Sequence, residues 1–359
     1  MRIAFYIPIL NVGGAEKVII NLLNNLILNK NNSYFIITDK INSTWISELS
    51  PEIIIIHLNS KNNIARRIFQ LRCILKFNKF TLLVSHLTHS NVHCLLLKLF
   101  YKYKLIIVEH NITSKYIQDL GYTKIFFNHF IKRYFCFANK IICVSNATKN
   151  DLIREYGIPD KKSIVIYNPF DFDAISKKAD IILENDIFLN LIGKRYIVVV
   201  ARLEVQKNHL FLIETIKNYL IENNIKLVFV GGGSNYTKLK DYIFKSQLEN
   251  FVHLTNYETN PYPYIKNASL LVHPARFEGF GLVLIEALYL GIPVVSMNFD
   301  AAFEILDNSK LGEIVSDSET LLLAIKNFES IPKPDKLQIY NKYNLSNIVE
   351  QYESLFLNV

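Results

Sequence analysis

Residues 270–296 read Leu270-Leu-Val-His-Pro-Ala-Arg-Phe-Glu-Gly-Phe-Gly-Leu-Val-Leu-Ile-Glu-Ala-Leu-Tyr-Leu-Gly-Ile-Pro-Val-Val-Ser296, and this stretch decides the fold. The apolar run Leu270–Val272 predicts a buried strand that Pro274 stops; Gly279 and Gly281 loosen the backbone. Leu282–Leu290 then carries apolar side chains at helical spacing until Gly291 and Pro293 end it. The unit is strand, loop, helix, strand. Glu278 falls in the loop beyond the strand's carboxyl end and Glu286 near the start of the helix, where open α/β sheets bind ligands. Backbone NH groups around Gly279, Phe280 and Gly281, with the positive end of the helix dipole, suit an anion such as a diphosphate. On an ordinary surface helix two glutamates eight apart would be a solvated face. Such a helix does not need Pro, Gly-Phe-Gly and two apolar strands around its charges.

Phe277, Glu278, Gly279, Phe280, Gly281, Glu286, Ala287, Gly291 and Pro293 together resemble the Glu-x7-Glu motif of the retaining glycosyltransferases of family 4 (glycosyl transferases group 1). The resemblance implies an α/β protein of GT-B type, with two Rossmann-like domains of mostly parallel sheet facing each other across a cleft. It runs through nearly the whole chain, most clearly over 195–316 and least over 30–100.

The 359 residues, 50% hydrophobic, suffice for two domains with separate cores. Cys73, Cys94, Cys136 and Cys143 show neither metal-ligand spacing nor a redox pair, the pattern of a reduced, cytoplasmic protein. The apolar run at Met1–Pro8 is too short for a signal peptide, and no stretch approaches the ~20 apolar residues of a membrane span. A formal charge of +8 is unevenly spread: residues 1–186 hold 24 Lys and Arg against 14 Asp and Glu. Within this basic half, Asn63–Lys79 sets Ile64, Ile68, Leu71 and Leu75 at helical spacing among Arg66, Arg67, Arg72, Lys76 and Lys79. Such a helix suits either an anionic leaflet or an ordinary sheet face with solvated cations outside. Peripheral contact with the inner face of the cell membrane is therefore expected if the acceptor is lipid-linked. No helix-turn-helix, RNP or zinc pattern supports a nucleic-acid partner, and none is expected.

From the amino terminus, residues 2–10 predict a strand, followed by Gly13-Gly14-Ala-Glu16 and an apolar-periodic helix over Val18–Leu28. A dinucleotide fingerprint would need glycine at 11, 13 and 16; the residues are Asn11, Gly13 and Glu16, although Asp39 stands where a ribose acid would. The loop instead resembles the first loop of family 4, where Gly13 and Gly14 would approach the substrates. Alternating strands and helices follow, with strands predicted at 53–57, 81–85, 105–108, 141–144 and 163–167, the signature of a parallel sheet. Glu109-His110-Asn111 follows one strand at its carboxyl end. A histidine there is commonly structural, but the resemblance implies that His110 faces the transferred sugar.

Ser145 is placed to cap a helix. Asp171-Phe-Asp173 has the form of a metal-binding Asp-x-Asp, but it follows Asn168-Pro169 beside the polar stretch 176–186 and is read as part of a linker; no metal site is expected. A second domain opens at the strand 195–201. Arg202 and Lys207 follow it, five apart, where a guanidinium fork and an ammonium can hold a leaving diphosphate; alone they would be a solvated pair, but they match the family's Arg-x4-Lys. Gly231-Gly-Gly233 follows another strand, Tyr257 stands where the family's base-binding loop lies, and Glu304 follows residues that depart from the family pattern. The expected domains are 1–185 for the acceptor, 190–340 for the sugar nucleotide, and a carboxyl-terminal helix in 341–359 that crosses back to the first.

The resemblance implies a metal-independent hexosyltransferase with no cofactor. Its donor would be a sugar nucleotide, with UDP preferred to GDP, and its acceptor a glycan or lipid-linked oligosaccharide of surface polysaccharide biosynthesis. Glu278, His110, Arg202 and Lys207 would be catalytic, and Glu286 would hold the ribose. Two readings compete: a NAD-dependent oxidoreductase, which the incomplete glycine fingerprint opposes, and a non-catalytic basic membrane-binding module, which leaves Arg202, Lys207, Glu278 and Glu286 without a purpose.

Overall fold

The computed structural model describes the chain except for residues 11, 12, 42, 61, 62, 309 and 333, and gives only the backbone of 43–45. Asn11 and Val12 of the first loop thus lie outside the described residues. The chain divides into two compact units: Met1–Phe170 together with Tyr343–Val359, and Asp171–Lys342.

The first unit holds a seven-stranded sheet. Its strands are β1 (Arg2–Tyr6), β2 (Ser33–Thr38), β3 (Ile54–His57), β4 (Leu82–His86), β5 (Leu105–Glu109), β6 (Lys140–Cys143) and β7 (Ser163–Val165). All pair in parallel, in the order β3-β2-β1-β4-β5-β6-β7. A short extra parallel pair joins Ile9–Leu10 to Lys40–Ile41. β4 and β5 are buried at every residue, because helices cover both faces of a parallel sheet and leave no solvent side for polar alternation. Chain direction across the sheet reverses between β1 and β4, the topological switch point beyond which such sheets bind ligands. The terminal helix Leu345–Asn358 packs onto the helix Gly14–Leu26 of this unit. Phe356 meets Phe5 edge-on at 6.3 Å, and Asn29 donates to Glu353 at 2.8 Å.

The second unit repeats the plan with six strands: β8 (Tyr196–Val200), β9 (Lys226–Val230), β10 (Val252–Leu254), β11 (Leu270–His273), β12 (Val294–Met297) and β13 (Glu313–Val315). Their order is β10-β9-β8-β11-β12-β13, again wholly parallel. Here the switch point falls between β8 and β11. Leu212, Ile213 and Ile216 of the helix His209–Asn223 pack with Val199, Leu227 and Val272 of the strands in one core.

The stretch expected to be a linker proves to be structured. Asp171 accepts the Ala174 N–H at 2.9 Å and starts the helix Phe172–Ala179, and Asn185 starts Asp186–Leu191 in the same way. Phe172 stacks on Tyr289 with ring centroids 4.2 Å apart, which ties this segment to the second unit and moves the boundary from 185 to 171. Ser145 caps Asn146–Tyr156 through the Thr148 N–H, and Gly157 ends it at φ +67°. All four cysteines are free.

Candidate functional site

In the second unit, four loops leave the carboxyl ends of adjacent strands, and hydrogen bonds join them. Arg202 and Lys207 follow β8, and Phe277–Gly281 follow β11, one on each side of the switch point. Arg276 N–H donates to Gln206 O at 3.0 Å, and the Gln206 side chain returns a bond to Phe277 O at 2.7 Å. Lys207 Nζ is directly bonded to Glu278 Oε1. Behind the Arg202 loop lies the glycine run after β9. A Cβ on Gly231 would sit 2.2 Å from Ala201 O, and one on Gly233 would sit 2.6 Å from the Leu203 backbone. Only glycine permits that approach. Gly231 N–H in turn donates to Asn256 O at 3.0 Å, which places the exposed Tyr257 beside the same loop.

The helix Leu282–Tyr289 begins at Gly281, whose φ of +98° is a left-handed conformation disfavoured for any side chain. A Cβ there would also press Leu284 at 3.2 Å and Phe299 at 3.4 Å. Glu286, on this helix, is buried and accepts a hydrogen bond from the Tyr262 hydroxyl at 3.0 Å.

Beneath the Lys207–Glu278 pair lie two imidazoles that the sequence did not single out. His273, the last residue of β11, is buried, with Nε2 3.3 Å from Glu278 Oε1. His209 is buried on Phe229, with ring centroids 5.1 Å apart. Burial, reinforced by the Lys207 charge, lowers His209 to about 3. Burial likewise lowers His273, against the pull of Glu278. Both are therefore neutral at pH 7. Burial alone would raise Glu278, but the Lys207 charge and His273 outweigh it and hold the carboxyl at about 2. The site thus contains a fixed carboxylate and a fixed ammonium over neutral rings, with the exposed Arg202 on the same loop as Lys207.

His110, Gly13 and Gly14 belong to the first unit. Gly13 precedes the helix Gly14–Leu26 in extended conformation, at φ −172°. His110 follows β5, half-buried, and its Nε2 lies 3.0 Å from His86 Nδ1 at the end of β4. Next to it, Glu109 is wholly buried and accepts bonds from Thr88 and Asn91, each at 2.7 Å. Burial pushes Glu109 up to about 7. No group of three or more His, Cys, Asp or Glu among the described residues is placed to hold a metal ion. Asp171 is used as a helix cap.

Two family models match the chain in sequence: Glycosyltransferase Family 4 over residues 12–174 and Glycosyl transferases group 1 over 186–345. The N-acetylgalactosamine-N,N'-diacetylbacillosaminyl-diphospho-undecaprenol 4-alpha-N-acetylgalactosaminyltransferase of Campylobacter jejuni is 27% identical over 348 residues, covering 94% of this chain and 92% of its own. The O-antigen chain mannosyltransferase of Salmonella typhimurium is 26% identical over 279 residues, 76% of this chain and 71% of its own. Among solved structures, that of Anabaena HepE with UDP and glucose superposes with a TM-score of 0.81 at 16% identity, each chain covered completely. Sucrose-phosphate synthase from Thermosynechococcus elongatus also reaches 0.81, at 16% identity and covering 99% and 98% of the two chains. With two parallel Rossmann-like sheets and linked loops at the switch point of the second, the chain is a GT-B-fold glycosyltransferase related to the group 1 and family 4 enzymes.

Proposed function

We propose that the protein transfers a hexosyl group from a UDP-sugar to a hydroxyl of a glycan or lipid-linked acceptor, with retention at the anomeric carbon, in surface polysaccharide biosynthesis. The observation that carries this reading is the Lys207–Glu278 pair beside Arg202 at the switch point of the second sheet. The barrier to glycosyl transfer lies in breaking the bond from the anomeric carbon to the diphosphate oxygen. Fixed positive charge at the departing oxygens lowers it. Lys207 and Arg202 supply that charge, aided by NH groups around Gly279, Phe280 and Gly281. Glu278, ionised at any physiological pH, orients sugar hydroxyls and stabilises the oxocarbenium-like carbon. Glu286, steadied by Tyr262, receives the ribose hydroxyls, and Tyr257 lies beside the base. In the first unit, Gly13, Gly14 and His110 are assigned to substrate. As the bond to the leaving phosphate breaks, the acceptor oxygen bonds to the same face of the carbon and its proton passes to the phosphate. The cations take the place a metal would otherwise fill. That the relatives named above include transferases for an undecaprenol-linked glycan and for O-antigen supports the acceptor class.

The surface of the first unit gives a lipid-linked acceptor a physical setting. Residues 53–108 contain nine Lys and Arg and no Asp or Glu; of these Arg67 is buried against Asp39 at 2.7 Å and does not face solvent. On the helix Ile64–Asn78, Phe69 and Phe77 are 64% and 80% exposed, and Phe100 is 82% exposed. Lys76, Lys79, Lys102 and Lys104 line one surface cavity. Exposed aromatics among cations are the pattern of a protein seated on an anionic leaflet. No helix among the described residues is long and apolar enough to cross a membrane.

A thermal-shift series with UDP, GDP and NAD, without metal, tests the reading. Ligand at ~100 times its dissociation constant stabilises by about 2.7 kcal/mol. The UDP response is expected to vanish in Glu286→Ala, and NMR of the product should show a retained anomeric configuration. A response confined to NAD, or inverted product, refutes it.

A further inference from the structure

We propose that His86 is a positioning residue that fixes the tautomer of His110, so that His110 presents its Nδ1–H as a hydrogen-bond donor and not as a base. The inference rests on the reading of His110 as a residue that meets substrate. β4 and β5 are neighbours, with His86 opposite Val108, so the two histidines stand side by side at the carboxyl edge of the sheet, next to the switch point. His86 Nδ1 and His110 Nε2 are 3.0 Å apart, and the rings lie 5.3 Å apart, 30° from parallel. On its other side His86 stacks on Phe5 at 5.5 Å.

A bond between two ring nitrogens needs a proton on one and a lone pair on the other, and the surroundings of His86 decide which. His86 is completely buried, and its Nε2 has no hydrogen-bond partner among the described residues. Were His110 the donor, neutral His86 would carry its own proton on Nε2, burying an N–H with nothing to receive it. With His86 as donor, Nε2 is a bare acceptor. Buried orphan N–H groups are the rarer and costlier of the two. Both rings are neutral at pH 7, since burial lowers His86 well below the usual histidine range and His110 to about 4. Neutral His110, accepting at Nε2, must therefore hold its proton at Nδ1. The backbone adds an independent sign that this corner is held in place: Leu87, immediately after His86, sits at φ +75°, an uncommon conformation for leucine, with its N–H on Val108 O at 3.2 Å.

A bound Nε2 and a protonated Nδ1 leave His110 no free lone pair. It can donate to a sugar or phosphate oxygen and cannot accept the acceptor's proton, which agrees with that proton leaving on phosphate.

The test is a long-range 1H–15N correlation spectrum of the histidine-labelled protein, joined to kinetics with a UDP-sugar. His110 and His86 should both show the Nδ1–H tautomer. In His86→Phe, kcat should fall about 10- to 100-fold with KM for the UDP-sugar nearly unchanged. His86→Asn, whose amide nitrogen stands near the place of Nδ1, should recover most of the loss. An Nε2–H signal on wild-type His110, undiminished kcat in His86→Phe, or no rescue by Asn overturns the inference. The spectrum decides even if His86→Phe does not fold. Failure of the wild type to turn over any UDP-sugar would instead refute the transferase reading.

Discussion

Lys207→Met removes the ammonium bonded to Glu278 while keeping most of the side chain's length. Glu278 is held at about 2 against an ordinary 4.5, a gap worth roughly 3 kcal/mol at about 1.4 kcal/mol per unit. Lys207 and Glu278 are 12% and 17% exposed, so solvent screens part of this, and His273 supplies another part. About 2 kcal/mol is thus expected as the coupling between the two residues. The sign follows from linkage: a carboxyl lowered in the folded state stabilises fully above its unfolded value. That stabilisation is lost as pH falls from 4.5 towards 2. The assay is urea unfolding of the wild type, Lys207→Met, Glu278→Gln and the double variant between pH 7 and pH 3. At pH 7 the single losses should exceed the loss in the double variant once added together, and the excess should shrink on acidification. Additivity within ~0.5 kcal/mol at pH 7, or an excess indifferent to pH, refutes the reasoning.

Three further outcomes are expected. Gly281→Ala puts a side chain at φ +98° against Leu284 and Phe299; it should cost about 1–3 kcal/mol in thermal unfolding and weaken UDP binding, and an unchanged Tm would show that the turn relaxes freely. Tyr262→Phe removes the donor to buried Glu286; a loss of about 1 kcal/mol is expected, with weaker UDP binding by titration calorimetry, and an unaltered UDP affinity would separate Tyr262 from the ribose site. Glu109→Gln should gain on the wild type as pH rises: folded Glu109 keeps its proton to about 7 and the unfolded chain to 4.5, so wild-type stability falls by roughly 3 kcal/mol across that interval. A stability difference that stays flat between pH 4 and pH 8 would mean that Glu109 ionises normally.

What the sequence made legible follows from range. Buried parallel strands write themselves as apolar runs, and Gly281 and Pro293 as breaks, so the order of elements could be read directly. Glu278 and Lys207 were each visible in their own motifs, but the bond between them joins positions 71 apart and required the register of β8 on β11. His86, His209 and His273 were not legible, because a single buried histidine resembles an ordinary core residue, and the approach of His86 to His110 joins positions 24 apart at the ends of neighbouring strands. The polar run 176–186 read as a linker because it is rich in charge, while Phe172 and Ile175, the larger buried side chains of the helix Phe172–Ala179, come just before it.

The second unit is an insertion whose two ends meet. Phe170 N–H donates to Tyr343 O at 3.0 Å, and Leu345 N–H donates back to Phe170 O at 3.1 Å, so the chain leaves the first unit and re-enters it at one place. During synthesis the ribosome releases residues 1–170 long before the helix Leu345–Asn358 that packs on Phe5 and Gly14–Leu26. Asp171–Lys342 is by then a complete contiguous unit, able to fold as it emerges. The helix made after the second unit is therefore the one that completes the first, and a chain stopped short near residue 342 would carry an entire second unit and an uncovered first one.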